Sequence, residues 1–363
     1  MRRRALALAL LLCFTLTGCG GILDRSYSTE TPHSQFSDEG KNSSVLRADT
    51  YEGLVAAMLH LISNGQESGV IRLYDYSGAA EQDVDRACLE VTRQDPLGAY
   101  AVDYIKYDMA RLTDYLEVNL KLFYKRTWQQ ISAVSSVTGS GAVFGELRAA
   151  LLDFQKETVL RVNYFDDSMT PDGMVAMVEE AYYDVPEAAF GKPEVKVRLY
   201  PEQAVSEQRL IEILLEYPAP RETLKEKQAK LLTQVEIITR PLLSKKPAEK
   251  VTLISSKLKS AVLYSAEAEG TAYVALLEGK ANQEGLTLAA ELLLQKSGLQ
   301  CRMVRGTKNG TPDQWLVVQM EDTWQHLDVA IDKPKLLGDR AMQEAGYRWS
   351  GDIPICRDMP TGS

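Results

Sequence analysis

The chain has 363 residues, 45% hydrophobic and 25% charged, enough for two or three packed domains. Its formal charge is −9, and loss of a leader carrying Arg2, Arg3 and Arg4 but no acid takes it to about −12. So acidic a chain excludes nucleic acid and bare anionic lipid as natural partners, because both require Lys and Arg to neutralise phosphates.

MRRR opens the chain as a positive stretch, ALALALLLCFTL follows as an apolar run too short to span a bilayer, and LTGC closes it at 16–19. This resembles the lipobox of bacterial lipoproteins; the other reading is an ordinary secretory leader with a coincidental cysteine. The resemblance implies a signal peptide over 1–18, cleaved between Gly18 and Cys19, with Cys19 acylated by palmitate-type chains. Two acyl chains suffice for stable anchoring. No other stretch approaches the roughly eighteen apolar residues of a spanning helix. The expectation is a protein lipid-anchored to the cell membrane on its extracytoplasmic face. Residues 19–46 are rich in Ser, Gly and polar groups without periodicity and read as a flexible tether containing an exposed His33.

The next two hundred residues carry a weak internal repeat. YEGLVAAM (51–58) matches FGELRAAL (144–151), and each opens an amphipathic helix. Each helix leads to a strand with an internal arginine, VIRLYDY (70–76) and VLRVNYF (159–165). A second helix follows in both, EQDVDRACLEV and PDGMVAMVEEAYY, and then come extended runs: YLEVNLKLFY (115–124), VKVRLY (195–200) and LIEILLEY (210–217). The repeat is far longer than a solenoid's, so the expected fold class is α+β with a duplicated small unit, at 47–138 and 143–242. VTGSGA (137–142) reads as the linker, and RPLLSKKPAEK, after a helix over 222–239, as a second joint.

This half offers little chemistry. The acidic pairs Asp166-Asp167 and Glu179-Glu180 are adjacent rather than facing and read as solvated surface. His60 lies in the apolar helix LVAAMLHLI as a core or edge histidine. The tyrosines (Tyr100, Tyr104, Tyr107, Tyr115, Tyr124) suit strand packing, though they could also stack on glycans or peptides. Beyond Cys19 the cysteines number three, Cys88, Cys301 and Cys356, so no disulfide framework is implied. Cys301 and Cys356 could pair, but the sequence does not show their proximity. With three histidines and no Cys/His cluster at zinc spacing, no metal or other cofactor is expected.

From 248 to 358 the order is helix, AYVALLEGKANQEG, helix (LTLAAELLLQK), GLQCRMVRG, the polar loop TKNGTP, then DQWLVVQMEDTWQHLDVAID. This resembles bacterial transglutaminase-like domains, which share a papain-like core. The resemblance rests on Tyr273–Leu277, Gly279-Lys280-Ala281, Glu284-Gly285, the strand 301–304, and the pairing of Trp315 with Trp324 ahead of His326-Leu327-Asp328. It implies a nucleophilic Cys at the helix N-terminus, where the dipole and free N–H groups favour a thiolate, together with a His and an orienting Asp. Here those positions hold Gln283, Asp313 and Asp328. Gln283 cannot ionise, and two aspartates repel where a His–Asp pair attracts. The triad is degenerate and no catalytic residue is expected, while Glu284, Trp315, Trp324 and His326 are expected to line the cleft.

The same residues admit other chemistries. Cys301 lies on the strand after the helix and lacks a base unless His326 supplies one; a supporting role suits His326 better. Asp313 and Asp328 could share a proton as a carboxylate dyad, and Glu284 with Asp313 falls short of a calcium site. The expected protein is a non-enzymatic binding or scaffolding lipoprotein for a peptide, a protein or an envelope polymer. The alternative is an unconventional cell-envelope hydrolase or transferase.

Overall fold

The computed structural model describes residues 37–38, 45–203, 207–331, 333–351 and 353–358. The leader 1–18, Cys19 and most of the tether 19–46 lie outside the described residues. Regular structure begins before residue 47. Ser37–Asp38 (β1) pairs antiparallel with Val45–Ala48 (β2), Ser37 opposite Arg47. Four residues are too few for periodicity to announce a strand, yet Leu46 and Ala48 are wholly buried.

The described chain forms two compact units, one running to residue 139 with 160–164 and 203–210, the other holding 140–159, 165–202 and the residues from 211 onward. In the first, β2 leads to α1 (Tyr51–Ser63), β3 (Ser68–Tyr74), α2 (Ala80–Arg93), α3 (Pro96–Ala101), β4 (Val102–Arg111) and β5 (Tyr115–Tyr124). Thr50 caps α1 by accepting the Gly53 N–H at 3.1 Å. Leu54, Met58, Leu61 and Ile62 of α1 are buried, as are Ile71 of β3 and Val118 and Leu120 of β5. The sheet order is β1-β2-β3-β5-β4, with β2 and β3 parallel and β5 antiparallel to both neighbours.

After α4 (Trp128–Ser132) come β6 (Ser135–Val137), α5 (Ser140–Asp153), β7 (Glu157–Val162), α6 (Pro171–Tyr183), β8 (Glu194–Tyr200), β9 (Arg209–Glu216) and α7 (Arg221–Thr239). Their sheet order is β6-β7-β9-β8, with β6 and β7 parallel. The elements run strand, helix, strand, helix, strand, strand; from β2 to β5 a further helix, α3, stands before the last two strands. The linker expected over 137–142 shrinks to Thr138 and Gly139, because Val137 closes β6 and Ser140 opens α5.

The second unit continues with α8 (Pro247–Ala261), β10 (Leu263–Tyr264), β11 (Lys280–Ala281) and α9 (Gln283–Lys296). It does not part at the expected joint 240–250. Tyr183 bonds Glu284, Glu187 pairs with Lys296 at 2.9 Å and Glu179 pairs with Arg305 at 2.8 Å, tying α6 and its flank to α9 and the strand after it. Every residue of α9 from Gly285 to Leu294 is buried, the signature of a central helix.

A third sheet follows: β12 (Cys301–Lys308), β13 (Thr311–Met320), β14 (Thr323–Leu327), β15 (Leu336–Leu337) and, after α10 (Asp339–Glu344), β16 (Tyr347–Trp349). Its order is β15-β14-β13-β12-β16, with antiparallel neighbours throughout. The expected polar loop TKNGTP is a two-residue hairpin. Asn309 and Gly310 both take positive φ (52° and 81°), as a tight turn matched to strand twist requires. Lys308 therefore faces Thr311, and Gly306 faces Asp313.

Candidate functional site

Gln283 is the first residue of α9, and the chain reaches it through a tight approach. A π-turn at Val274–Glu278 ends on Gly279, whose φ of 72° is left-handed. Asn282 then caps α9, its Oδ1 accepting the Gly285 N–H at 2.9 Å. Gly285 leaves little room for a side chain: a Cβ would stand 3.1 Å from the Thr271 carbonyl oxygen and 3.2 Å from its nitrogen. The Glu-Gly pair is thus explained by packing alone.

The Gln283 amide donates to the main-chain carbonyl of Gln314 at 2.9 Å, and the Thr287 hydroxyl reaches the same oxygen at 3.3 Å. The helix N-terminus therefore lies against β13 at the residue after Asp313. Glu284 turns aside, its Oε1 accepting the Tyr183 hydroxyl at 3.0 Å.

Asp313 and Asp328 sit in one electrostatic neighbourhood, with Lys308 between them in charge. Burial first raises the Asp313 carboxyl above its ordinary range; Asp328 raises it further, while the Gln314 N–H and Lys308 draw it down. Asp328 is buried and well held: its Oδ2 accepts the Tyr347 hydroxyl at 2.6 Å and lies 3.5 Å from Lys308 Nζ, and its Oδ1 accepts the Ala330 N–H at 2.9 Å. Burial, then the bond to Asp328, pushes the Tyr347 hydroxyl strongly upward, so it stays a donor. Lys308 and Tyr347 were not expected at this site. The Asn309-Gly310 dipeptide was the available signal for the first, since it sets the register of β12 on β13.

Trp315 and His326 do not line an open cleft. Both are wholly buried, and Trp315 packs in a core with Val304, Val317, Met342, Tyr347 and Cys356, against which Trp324 lies half-buried. The physical reason is a cover on this face of the sheet, made by α10 and the segment ending at Cys356, with Tyr347 and Trp349 of the edge strand β16 packed beside Trp315. A buried relay runs through it. Trp315 Nε1–H donates to His326 Nδ1 at 2.9 Å, His326 Nε2 meets Asp339 Oδ1 at 2.9 Å, and Asp339 Oδ2 accepts the Cys356 N–H at 3.1 Å.

His326, Asp339 and Cys356 bring ligand-type atoms within 4.8 Å of one another, a donor set that zinc accepts. The Trp315 bond argues against a metal there. Trp315 can only donate, so Nδ1 is bare and Nε2 carries the proton given to Asp339. A neutral imidazole binding metal through Nε2 would need a proton on Nδ1, facing another N–H. Burial lowers the His326 pKa, offset in part by Asp339, so the ring is neutral. Both nitrogens are engaged, and His326 is no base for the cleft.

The thiols are equally withdrawn. Cys301 is buried with its Sγ 3.5 Å from the Glu291 carbonyl, and burial followed by the nearby Glu291 charge holds it far above the ordinary thiol range. Burial pushes Cys356 up to about 12 and Cys88 up to about 11. Cys301 and Cys356 are both free thiols, so the pairing considered for them is not formed.

No protein-family model matches this sequence, and no curated protein matches it. Two solved structures are similar to parts of it. One is described as a TGase, 11% identical over 66% of this chain and 68% of that one, with a TM-score of 0.28. The other is described as a "putative protease" from Parabacteroides distasonis, 9% identical over 74% of this chain and 40% of that one, with a TM-score of 0.23. Likeness that low carries no argument, and the mixed α+β architecture stands on the sheets described above.

Proposed function

We propose that this protein is a lipoprotein anchored through Cys19 on the extracytoplasmic face of the cell membrane, with a transglutaminase-like C-terminal region that binds rather than reacts. The same region acts as a scaffold or docking module for a peptide, a partner protein or an envelope polymer. The two α+β units between tether and cleft are read as copies of one ancestral unit, in keeping with their shared strand order β2-β3-β5-β4 and β6-β7-β9-β8.

One observation carries the reading. Where a nucleophile would stand, the Gln283 amide is committed to the Gln314 carbonyl, and the Asp328 carboxylate is held by Lys308 and the Tyr347 hydroxyl rather than aimed at an imidazole. In the described structure no ionised nucleophile faces a free base there. The chain's histidine in this region, His326, is enclosed between Trp315 and Asp339.

The test restores the missing groups. Gln283→Cys with Asp313→His places a thiol at the start of α9 and an imidazole beside Asp328. That pair should lower the thiol pKa below ~8.5 and speed iodoacetamide modification at neutral pH. Single Gln283→Cys should react more slowly, because Asp313 remains as a nearby carboxyl. Equal rates with an unshifted pKa in both variants would remove the transglutaminase-like mapping. Turnover of peptide or envelope substrates by the unaltered protein would favour an unconventional hydrolase or transferase instead.

A further inference from the structure

β12 is paired with β13 along its whole length but with β16 only from Gly306 to Lys308, so its earlier edge faces a cavity of about 620 Å³. Glu291, in the middle of α9, forms part of the inner wall. Its Oε1 accepts the Met303 N–H at 3.1 Å, capping the strand edge, and the Gln295 amide at 3.4 Å. Its Oε2 is buried and has no hydrogen-bond partner among the described residues. A buried carboxyl oxygen without a partner is destabilising, and a satisfied fold avoids it.

The cavity wall carries charges of both signs. Asp184 lies 2.6 Å from Arg148; burial raises its carboxyl above the ordinary range, and Arg148 and Arg302 draw it partway back. Arg305 is held by Glu179 at 2.8 Å, its guanidinium lying over the Tyr183 ring, and Arg302 stands on the wall as a further cation. Two carboxyls remain along the wall, Glu291 at the inner end and the exposed Glu180, which forms no ion pair among the described residues. Between them Phe144, Met303 and Ile353 supply an apolar flank.

We propose that this cavity binds the primary ammonium group of a ligand, with Glu291 Oε2 as its inner acceptor, Glu180 at the outer wall and the apolar flank against an aliphatic stem. An ammonium is a compact three-donor cation on a flexible stem, suited to a buried carboxyl oxygen, while Glu180 adds negative charge at the outer wall. Burial and the nearby Asp184 charge raise the Glu291 carboxyl well above its ordinary range, favouring its proton-bound form in the absence of a cation. The arriving ammonium displaces that proton to solvent, leaving a buried carboxylate–ammonium pair whose charges offset each other. This site is separate from the cleft at Gln283, and its ligand does not depend on whether the cleft is catalytic.

The Met303 amide is a built-in reporter, because it donates to the same carboxyl that would ionise. Butylammonium and its neutral counterpart butanol are titrated into the ¹⁵N-labelled full chain at neutral pH, following the Met303 amide. The expected result is a saturable shift with butylammonium and none with butanol. Glu291→Gln keeps an acceptor for Met303 and should weaken butylammonium binding at least about tenfold, as for loss of a hydrogen bond to a charged group. Glu180→Gln, on the exposed wall, should weaken it about two- to fivefold and decides the matter if Glu291→Gln does not fold. No saturable shift, an equal shift with butanol, or unweakened binding in either variant would overturn the proposal and leave Glu291 as a strand-edge cap only.

Discussion

His326→Leu tests the buried relay, because it removes both ring nitrogens while filling much of their space. Trp315 is wholly buried, so its indole N–H would lose its only acceptor where water does not reach. That costs about 1–3 kcal/mol. Asp339 is 33% exposed and keeps the Cys356 N–H, so hydration replaces much of the bond lost at Oδ1. The expected loss is about 2–3 kcal/mol in all. Trp315→Phe leaves His326 Nδ1 bare in the same way and should cost a similar amount. The double variant buries two apolar groups with no orphan between them, so it should be less damaging than the sum by about 1–2 kcal/mol. Urea unfolding at mildly alkaline pH, followed by tryptophan fluorescence, reads this, since Trp324 and Trp349 of the same sheet remain as probes. Additivity within about 0.5 kcal/mol would refute the relay and reduce the contact to packing.

The same group sets a pH dependence. Because burial lowers the His326 pKa from its ordinary 6.5, the unfolded chain binds the extra proton. Its stabilisation should be complete above about pH 6.5 and lost as pH falls below that, and subtracting the His326→Leu melt should isolate the slope. Gly285→Ala adds a helix former, worth about 1 kcal/mol, yet crowds the immobile Thr271 backbone at about 1–3 kcal/mol, so the unfolding midpoint should fall rather than rise. Cys19→Ala should release the protein from the membrane fraction or leave an uncleaved precursor. Parental fractionation and processing would sink the lipobox reading.

What the sequence disclosed follows from how many faces of each element are covered. YLEVNLKLFY matches β5 residue for residue, because alternation exposes one face and buries Val118, Leu120 and Leu122. PDGMVAMVEEAYY matches α6 for the same reason, with Pro171 at its first turn and Thr170 as its cap. β4 went unread: it is an exposed edge strand whose Asp103, Lys106 and Asp108 alternate with tyrosines, so no buried face marks it. At the site, alternation puts His326 on the same strand face as Trp324, and the register of β14 on β13 sets His326 opposite Val317, two residues from Trp315, but only the distant α10 and Cys356 segment make that side of the sheet a core instead of a cleft. That cover comes from residues with no periodic link to β13 or β14. The readable parts of the α9 approach, Asn282, Gly279 and Gly285, are those the backbone requires: a cap, a left-handed turn and a close contact. None of them depends on the chemistry of residue 283. A glutamine there completes the packing through Gln314, so this helix start holds its shape whatever its chemistry, and its sequence signature alone is no evidence of catalysis.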